Sequence, residues 1–231
     1  NGNQCNVIEV SAINPNPESY LVEFSNGETI KACADHLWMT TARVDSPGTP
    51  TDGITTRPLT AIRSTKRIYD TQTYGSRGDR NHSIDMPSAL QMSDKDFPVD
   101  PYVLGCWLGD GDSDSARLTI GKQDVDAFVG IFKEIGIGLV PHKSKNRAPR
   151  FRIDGDNIQS KLRVMRLLGN KGVPNDYHRG SQKQRLSVLQ GLMDTDGTVS
   201  KNGKVFEFVS ANKRLALDCL ELLSSLGIKA T

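Results

Sequence analysis

Two aspartates in similar surroundings are the residues of this chain best suited to metal chemistry. Residues 103–111 read VLGCWLGDG and residues 189–197 read LQGLMDTDG, so each stretch is largely apolar and ends in Asp-Gly. Each predicts a helix that ends at its aspartate, Asp110 or Asp196, where the carboxylate meets the negative end of the helix dipole. If the two helices pack side by side, the carboxylates also repel each other. A divalent cation between them would remove both penalties, so both are candidate metal ligands.

Small residues at matching offsets indicate how these helices would pack. Gly105 and Gly109 in the first stretch, like Gly191 and Thr195 in the second, are four residues apart and therefore share one helix face. Such a face lets two helix backbones approach closely. The glycine after each aspartate is predicted to take the left-handed conformation that commonly ends a helix. A simpler interpretation of one stretch is an ordinary Asp-Gly turn, but two matched copies about ninety residues apart favour a repeat.

Together the two stretches resemble the paired motifs of LAGLIDADG homing endonucleases. The residues that carry the resemblance are Leu189, Gly191, Leu192, Asp194, Asp196 and Gly197 in the second copy, and Gly105, Gly109, Asp110 and Gly111 in the first. The resemblance implies that Asp110 and Asp196 are catalytic and hold Mg²⁺ or Mn²⁺. It also implies a monomer of pseudo-twofold symmetry that hydrolyses one phosphodiester in each strand of double-stranded DNA, within a long recognition site.

Two lysines are candidate partners of these carboxylates. Residues 170–174 (NKGVP) resemble the Lys-x-Ile-Pro segment that precedes the second motif in intein endonucleases, which makes Lys171 a candidate catalytic residue. It would stabilise developing negative charge on the phosphate or position the attacking water. Lys122, after the first predicted strand of this region, is a second candidate. For either lysine the alternative is an ordinary surface residue.

A basic strand is the main candidate for a DNA-binding surface. Residues 143–153 contain five cations and no acid, and Arg150-Phe151-Arg152-Ile153 alternates strictly, so one strand face is cationic and the other apolar. Such a face suits a phosphate backbone, although a solvated edge strand protected by its charge is the alternative. The predicted DNA contacts are Arg117, Lys143, Lys145, Arg147, Arg150, Arg152, Lys201 and Lys204.

The N-terminal part has a different pattern, with short strand-like segments predicted at residues 7–10, 20–24 and 29–33. Asn26-Gly27 between the last two predicts a hairpin. Residues 33–40 (CADHLWMT) resemble the histidine motif of the Hint splicing domain of inteins. His36 matches the family's histidine, whereas Cys33 replaces its usual Thr, so these two are the candidate splicing residues. The alternative for His36 is a buried histidine bonded within a β core.

Composition restricts the class of protein. The chain has 231 residues and a formal net charge of +2, with neither an apolar run of membrane-spanning length nor a secretory leader, so an intracellular, cytoplasmic protein without membrane contact is expected. Its four scattered cysteines argue against a zinc ribbon or a disulfide framework.

The predicted fold class is α+β, with two parts. Residues 1–97 are expected to form a partial, all-β Hint-like domain and connector, with residues 41–97 mostly loops. Residues 98–231 are expected to form a two-repeat α/β saddle of αββαββα repeats. Repeat one covers about 98–175. Repeat two, about 176–231, is expected to be truncated after a final strand at Ile228, so that the sequence reads as a fragment lacking both ends.

Three hypotheses follow from these patterns. The leading one is a homing endonuclease nested in an intein, whose other partners would be the flanking extein segments of a host protein. The second is an intein with a decayed endonuclease that retains only protein self-splicing. The third is a DNA-binding protein of the same fold that does not cleave. The presence of both Asp110 and Asp196 argues against the third, since binding alone would not need two mutually repelling carboxylates.

Overall fold

The computed structural model describes residues 2–10, 12–45, 57–143 and 148–230. It confirms a mixture of helices and small antiparallel sheets, with seven helices in these residues. The chain divides into two compact units, one containing residues 6–86 and the other residues 2–5 and 87–230. None of the described helices has the length and apolar character needed to cross a membrane.

The first unit, residues 6–86, consists mainly of short strands. Its elements are β1 (Ser19–Glu23), β2 (Thr29–Cys33), β3 (Leu37–Ala42), β4 (Leu59–Ser64), α1 (Thr65–Asp70), β5 (Thr73–Tyr74), β6 (Asp79–Arg80) and β7 (His82–Ser83). β1 and β2 form the predicted antiparallel hairpin, in which Gly27 has a φ of +84°. β3 pairs with β4 on one side and β7 on the other.

Two predictions for this unit were wrong. Residues 7–10 form no strand: Val7, Ile8 and Val10 are exposed, and no described strand pairs with them, although a strand needs a neighbour to bond its backbone. The unit is also not all-β, because it contains the helix α1. This helix begins after Ser64, whose side chain accepts a hydrogen bond from the backbone N–H of Arg67. The expected Hint fold is not confirmed.

The second unit alternates helices and strands. Its elements are α2 (Pro101–Asp110), β8 (Arg117–Thr119), α3 (Val125–Glu134), β9 (Gly138–His142), β10 (Arg150–Asp154), α4 (Ile158–Val164), α5 (Asn175–His178), α6 (Gln182–Asp196), β11 (Gly197–Val199), β12 (Phe206–Phe208) and α7 (Lys213–Ser225). The strand predicted at residues 116–120 is β8, and an isolated bridge pairs Gly111 with Leu118 in front of it. If this bridge is counted as a strand, the order from α2 to α4 agrees with the predicted αββαββα.

The sheet of repeat one has the order β8-β10-β9, with all pairs antiparallel. Leu118, Phe151 and Ile153 point to its buried face and pack in the main core with α2 and α3. Arg117 and Arg152 are paired in register on the other face. The alternation read from the sequence is therefore confirmed in both strands.

In repeat two the short helix α5 is followed by α6, one hairpin and α7 in the described residues. β11 follows α6 directly and pairs with β12, and α7 follows. The strand predicted at Ile228 was wrong. Its backbone N–H bonds to Leu223 O while that of Gly227 bonds to Ser224 O, so these residues close the end of α7 instead.

Residues 87–97 pack with the second unit, whose boundary thus precedes the predicted one at 98. The guanidinium of Arg185 on α6, which is fully buried, donates to Leu90 O, Gly180 O and Ser225 O. Phe97 stacks on Tyr177, with ring centroids 4.0 Å apart. One buried cation thus holds three backbone segments around the start of α6, each through a carbonyl that would otherwise need another donor.

Candidate active site

The helices α2 and α6 cross in direct backbone contact. A Cβ placed on Gly105 would lie 2.2 Å from Val188 O, and one on Gly191 would lie 2.3 Å from Tyr102 O. These distances are far below van der Waals contact, so neither position has space for a side chain. The small residues identified in the sequence therefore lie at the crossing, where they allow the two helices to touch.

The same crossing brings the two aspartates to neighbouring helix ends. A Cβ on Gly109 would lie 2.0 Å from Thr195 Oγ1 and 3.4 Å from Asp196 Oδ2. The Asp196 carboxylate thus lies against the backbone of the residue before Asp110. Each carboxylate occupies the last residue of its helix, as the sequence predicted.

The glycines after the aspartates do not adopt the predicted left-handed cap. Gly111 has φ −75° and ψ 153°, and Gly197 has φ −87° and ψ 152°, which is extended backbone that any residue adopts. Space is what requires glycine here: a Cβ would lie 2.3 Å from Trp107 O at Gly111 and 2.4 Å from Met193 O at Gly197. The absent Cβ lets the chain leave the helix at once along a strand direction.

Lys171 reaches the end of α2 from outside both helices. Its Nζ donates to Gly109 O, at 3.0 Å, and to Gly111 O, at 2.6 Å. It also lies 5.2 Å from the centre of the Trp107 ring, within cation–π range. The ammonium therefore binds carbonyls on both sides of Asp110, at the negative end of the helix dipole.

The three charged groups influence each other's ionisation. Burial raises the pKa of Asp110, the charge of Asp196 raises it further, and Lys171 opposes both effects. Burial also raises the pKa of Asp196, again opposed by Lys171. Burial lowers the pKa of Lys171, whereas the negative charges of Asp196 and Asp110 raise it. With one cation for two carboxylates, the cluster retains negative charge that an added cation would neutralise.

Asp112 is a charged residue of this region that sequence reasoning missed. Its carboxylate pairs with Arg150 and with Arg117, whose Nε lies 3.6 Å away, and accepts a bond from Ser115 Oγ. Its side chain is only 11% exposed. The sequence does show an acidic residue two positions after Asp110, which could have marked it as part of the site. Its arginine partners could not be predicted, because they come together only when β8 and β10 pair.

The cationic face of the sheet contains three of the predicted DNA contacts. Arg117, Arg150 and Arg152 share this face, with His142 beside Arg150 in register. Lys143 is exposed just beyond β9. Lys201 and Lys204 are exposed in the turn between β11 and β12. Two further predicted contacts, Lys145 and Arg147, lie outside the described residues.

The remaining predicted site residues are located in other segments of the chain. Lys122 is exposed after β8, and among the described residues no hydrogen bond or ion pair joins it to Asp110 or Asp196. In the first unit, Cys33 ends β2, and the backbone N–H of His36 bonds to Cys33 O at 3.1 Å. The His36 side chain is exposed and packs edge-on against Trp38. The alternative of a buried histidine in a β core is therefore wrong.

The described residues contain no group of three or more His, Cys, Asp or Glu side chains arranged to hold a metal ion. The oxygen donors at the crossing are instead two carboxylates and the backbone carbonyls at the end of α2. Hard cations such as Mg²⁺ accept such mixed oxygen sets, usually completed by water.

Comparison with known proteins gives a match to one family model and one relative. Residues 183–231, which include α6 except its first residue, Asp196 and the hairpin after it, match the family model of the LAGLIDADG-like domain. Over 217 residues the chain is 36% identical to a protein named replicative DNA helicase DnaB from Mycobacterium intracellulare. The alignment covers 91% of this chain and 34% of that relative, so the chain spans about a third of the relative's length.

Proposed function

We propose that this chain is a metal-dependent endonuclease that cleaves both strands of duplex DNA at a specific site. The observation that carries the proposal is the pair of carboxylates, Asp110 and Asp196, at adjacent ends of two helices that cross in backbone contact. The match of residues 183–231 to the LAGLIDADG-like domain supports it. A pseudo-twofold pair of acids suits a substrate whose two strands are themselves related by a twofold axis.

The residues at the crossing fit a divalent cation. The carboxylates of Asp110 and Asp196 are oxygen donors of the kind that Mg²⁺ or Mn²⁺ prefers, and the carbonyls of Gly109 and Gly111 beside them accept hydrogen bonds from the Lys171 ammonium. When bound, such a cation supplies water activation and stabilisation of the leaving oxygen. Lys171, held against the same helix end, would stabilise negative charge developing on the phosphate.

The outer face of the β8-β10-β9 sheet is the proposed DNA-binding surface. Arg152 is its most accessible cation, with a side chain 57% exposed, although it also pairs with Asp154. Arg117 and Arg150 present guanidinium groups that Asp112 holds in place. Cations on a strand face bind phosphates through charge, and residues reaching base edges in the major groove would add specificity.

Cleavage assays with Asp110→Asn and Asp196→Asn test the proposal. The substrates are a duplex library randomised over a long central segment and a duplex that joins the sequences flanking this coding segment in its gene, both with Mg²⁺. Each substitution is expected to reduce double-strand cleavage at least about 100-fold, with the DNA dissociation constant within about twofold. Asp126→Asn, at the exposed start of α3, is the matched control.

Unchanged cleavage in either active-site variant would exclude that aspartate as a catalytic residue. Specific DNA binding without cleavage by the wild type would favour the hypothesis of a DNA-binding protein that does not cleave.

A second proposal concerns the relation to the longer relative. The aligned region has no GxxxxGK[ST] sequence, the phosphate-binding loop of many nucleotide-driven enzymes. We propose that it is an intervening segment, an intein that carries the nuclease, in which Cys33 and His36 would assist splicing. Expression of the complete gene with and without His36→Ala tests this: joined flanking segments are expected only from the unsubstituted gene. An unspliced product from the complete, unsubstituted gene would contradict the proposal.

A further inference from the structure

The segment that carries Lys171 has no regular secondary structure to hold it. Residues 171–174 are neither helix nor strand, yet the lysine side chain reaches two specific carbonyls at the end of α2. A long, flexible side chain loses rotamer entropy when it is fixed in this way. Some other element must therefore hold the backbone from which it extends.

That element is α7 of repeat two. Asn212 Nδ2 donates to Lys171 O at 2.8 Å, and the backbone N–H of Val173 donates to Asp218 Oδ2 at 2.7 Å. Between these two bonds lies Gly172, where a Cβ would be 2.5 Å from Arg214 Nε. The carbonyl of Lys171 and the two residues after it are thus anchored or covered by a single helix.

Asn212 has two separate roles that can be distinguished chemically. Its Oδ1 accepts bonds from the N–H groups of Arg214 and Leu215, which caps α7. Its Nδ2 makes the bond to Lys171 O. Asp caps helices as well as Asn does, but an ionised Asp has no hydrogen to donate. Asn212→Asp therefore removes the bond to the lysine segment and keeps the cap.

Asp218 also permits a graded test. Its side chain is 16% exposed, and it accepts the Val173 N–H in a partly buried position. Asparagine at this position retains an oxygen that can accept the same bond, whereas alanine removes it and leaves a backbone donor without a partner. A difference between Asp218→Asn and Asp218→Ala therefore measures the hydrogen bond rather than the charge.

We propose that Asn212 and Asp218 are positioning residues, through which α7 of repeat two fixes the lysine that serves the acid of repeat one. The effect of these two residues on cleavage rests on the nuclease function proposed above. The position of Lys171 does not depend on that function, because it can be observed in the protein without DNA. The inference links the repeats a second time, apart from the crossing of α2 and α6.

The experiment combines single-turnover cleavage, DNA binding and NMR of the free chain labelled with ¹⁵N-lysine. Asn212→Asp and Asp218→Ala are expected to slow the cleavage step about 10- to 100-fold with the DNA dissociation constant within about twofold, and to shift or broaden the Lys171 side-chain signal. Asp218→Asn is expected to restore most of the rate. Glu221→Gln, on the same helix but away from the lysine segment, is the control.

The outcomes separate the two proposals. A Lys171 signal that is unchanged in both Asn212→Asp and Asp218→Ala overturns the positioning role, whether or not the protein cleaves DNA. A changed signal in those variants, together with a wild type that cleaves no duplex, supports the positioning role and removes the nuclease function. A changed signal with an unchanged cleavage rate overturns the link to catalysis.

Discussion

The two repeats of the second unit share the helix that carries the acid but differ in the turn that follows it. After α2 the bridge joins Gly111 to Leu118, and after α6 the ladder joins Gly197 to Phe208. Opposite residues in the next position are Asp112 and Arg117 in repeat one, whereas they are Thr198 and Glu207 in repeat two. Repeat one thus has an ion-paired arginine where repeat two has an acid.

The helix crossing is, by contrast, nearly symmetric. In the sequence alignment of the two motifs, Gly105 corresponds to Gly191 and Tyr102 to Val188. A Cβ on Gly105 would meet the carbonyl of Val188, and one on Gly191 would meet the carbonyl of Tyr102. The same alignment pairs Gly109 with Thr195, and these two residues face each other across the crossing. Residues on a twofold axis contact their own equivalents, so only one of the two can carry a side chain. The comparison shows that the residues at the helix crossing are equivalent in the two repeats except on the twofold axis. The charged residues of the hairpins differ between the repeats.

Substitutions that fill the crossing should have the largest effect. Gly105→Ala and Gly191→Ala each place a Cβ within 2.3 Å of a backbone carbonyl, which cannot move without displacing its helix. Each is expected to lower the free energy of unfolding by about 3 kcal/mol, measured by urea denaturation. Similar values for both would establish that the crossing is energetically symmetric.

A matched control for the crossing is Gly130→Ala. Gly130 lies in α3, and a Cβ there would have no neighbour within 4 Å. Alanine should therefore stabilise the chain by about 0.5–1 kcal/mol through helix propensity alone. A loss at the crossing glycines that is no larger than about 1 kcal/mol would mean that the helices can separate at little cost.

The residue pair on the axis should show a smaller, conditional effect. Gly109→Ala is expected to cost about 2 kcal/mol, because its Cβ would lie 2.0 Å from Thr195 Oγ1, which bonds to Gly191 O. Thr195→Gly in the same chain removes the obstacle and should recover at least about 1 kcal/mol of that loss in a double-mutant cycle. Strict additivity of the two substitutions would contradict the axial contact.

The sequence predicted what depends on local pattern. The ends of α2 and α6, the small residues between them, the alternation of Arg150 to Ile153 and the hairpin at Asn26-Gly27 all follow from the spacing of neighbouring residues. The resemblance to a known motif also selected Lys171, which the structure places at the end of α2.

Contacts between distant side chains and backbone groups could not be predicted in this way. The ion pair of Asp112 with Arg150 joins residues that are distant in the sequence and forms only when the chain folds. The same is true of the hydrogen bonds from Arg185 to Leu90 O and from Asn212 to Lys171 O. The conformations of Gly111 and Gly197 were mispredicted for a related reason. An Asp-Gly pair indicates that the helix ends there. The direction of the following strand decides whether glycine is needed for a positive φ or for its lack of a Cβ, and the local sequence does not give that direction.

Removing the charge difference between the repeats should have the smallest effect, and it would act on DNA binding rather than on stability. Glu207→Arg places a cation at the position in repeat two that Arg117 occupies in repeat one. If both hairpins face the phosphates, the dissociation constant for duplex DNA should fall about tenfold at low salt. The slope of its logarithm against the logarithm of the salt concentration should steepen by about one to two.

The control is Glu134→Arg at the end of α3, which makes the same charge change on the helical layer behind the sheet. It is expected to alter the dissociation constant by less than about twofold, because charges that far from the DNA are screened. Equal gains from the two substitutions would show that net charge, and not the face of the sheet, governs binding, and the divergence of the two hairpins would then have no bearing on DNA recognition.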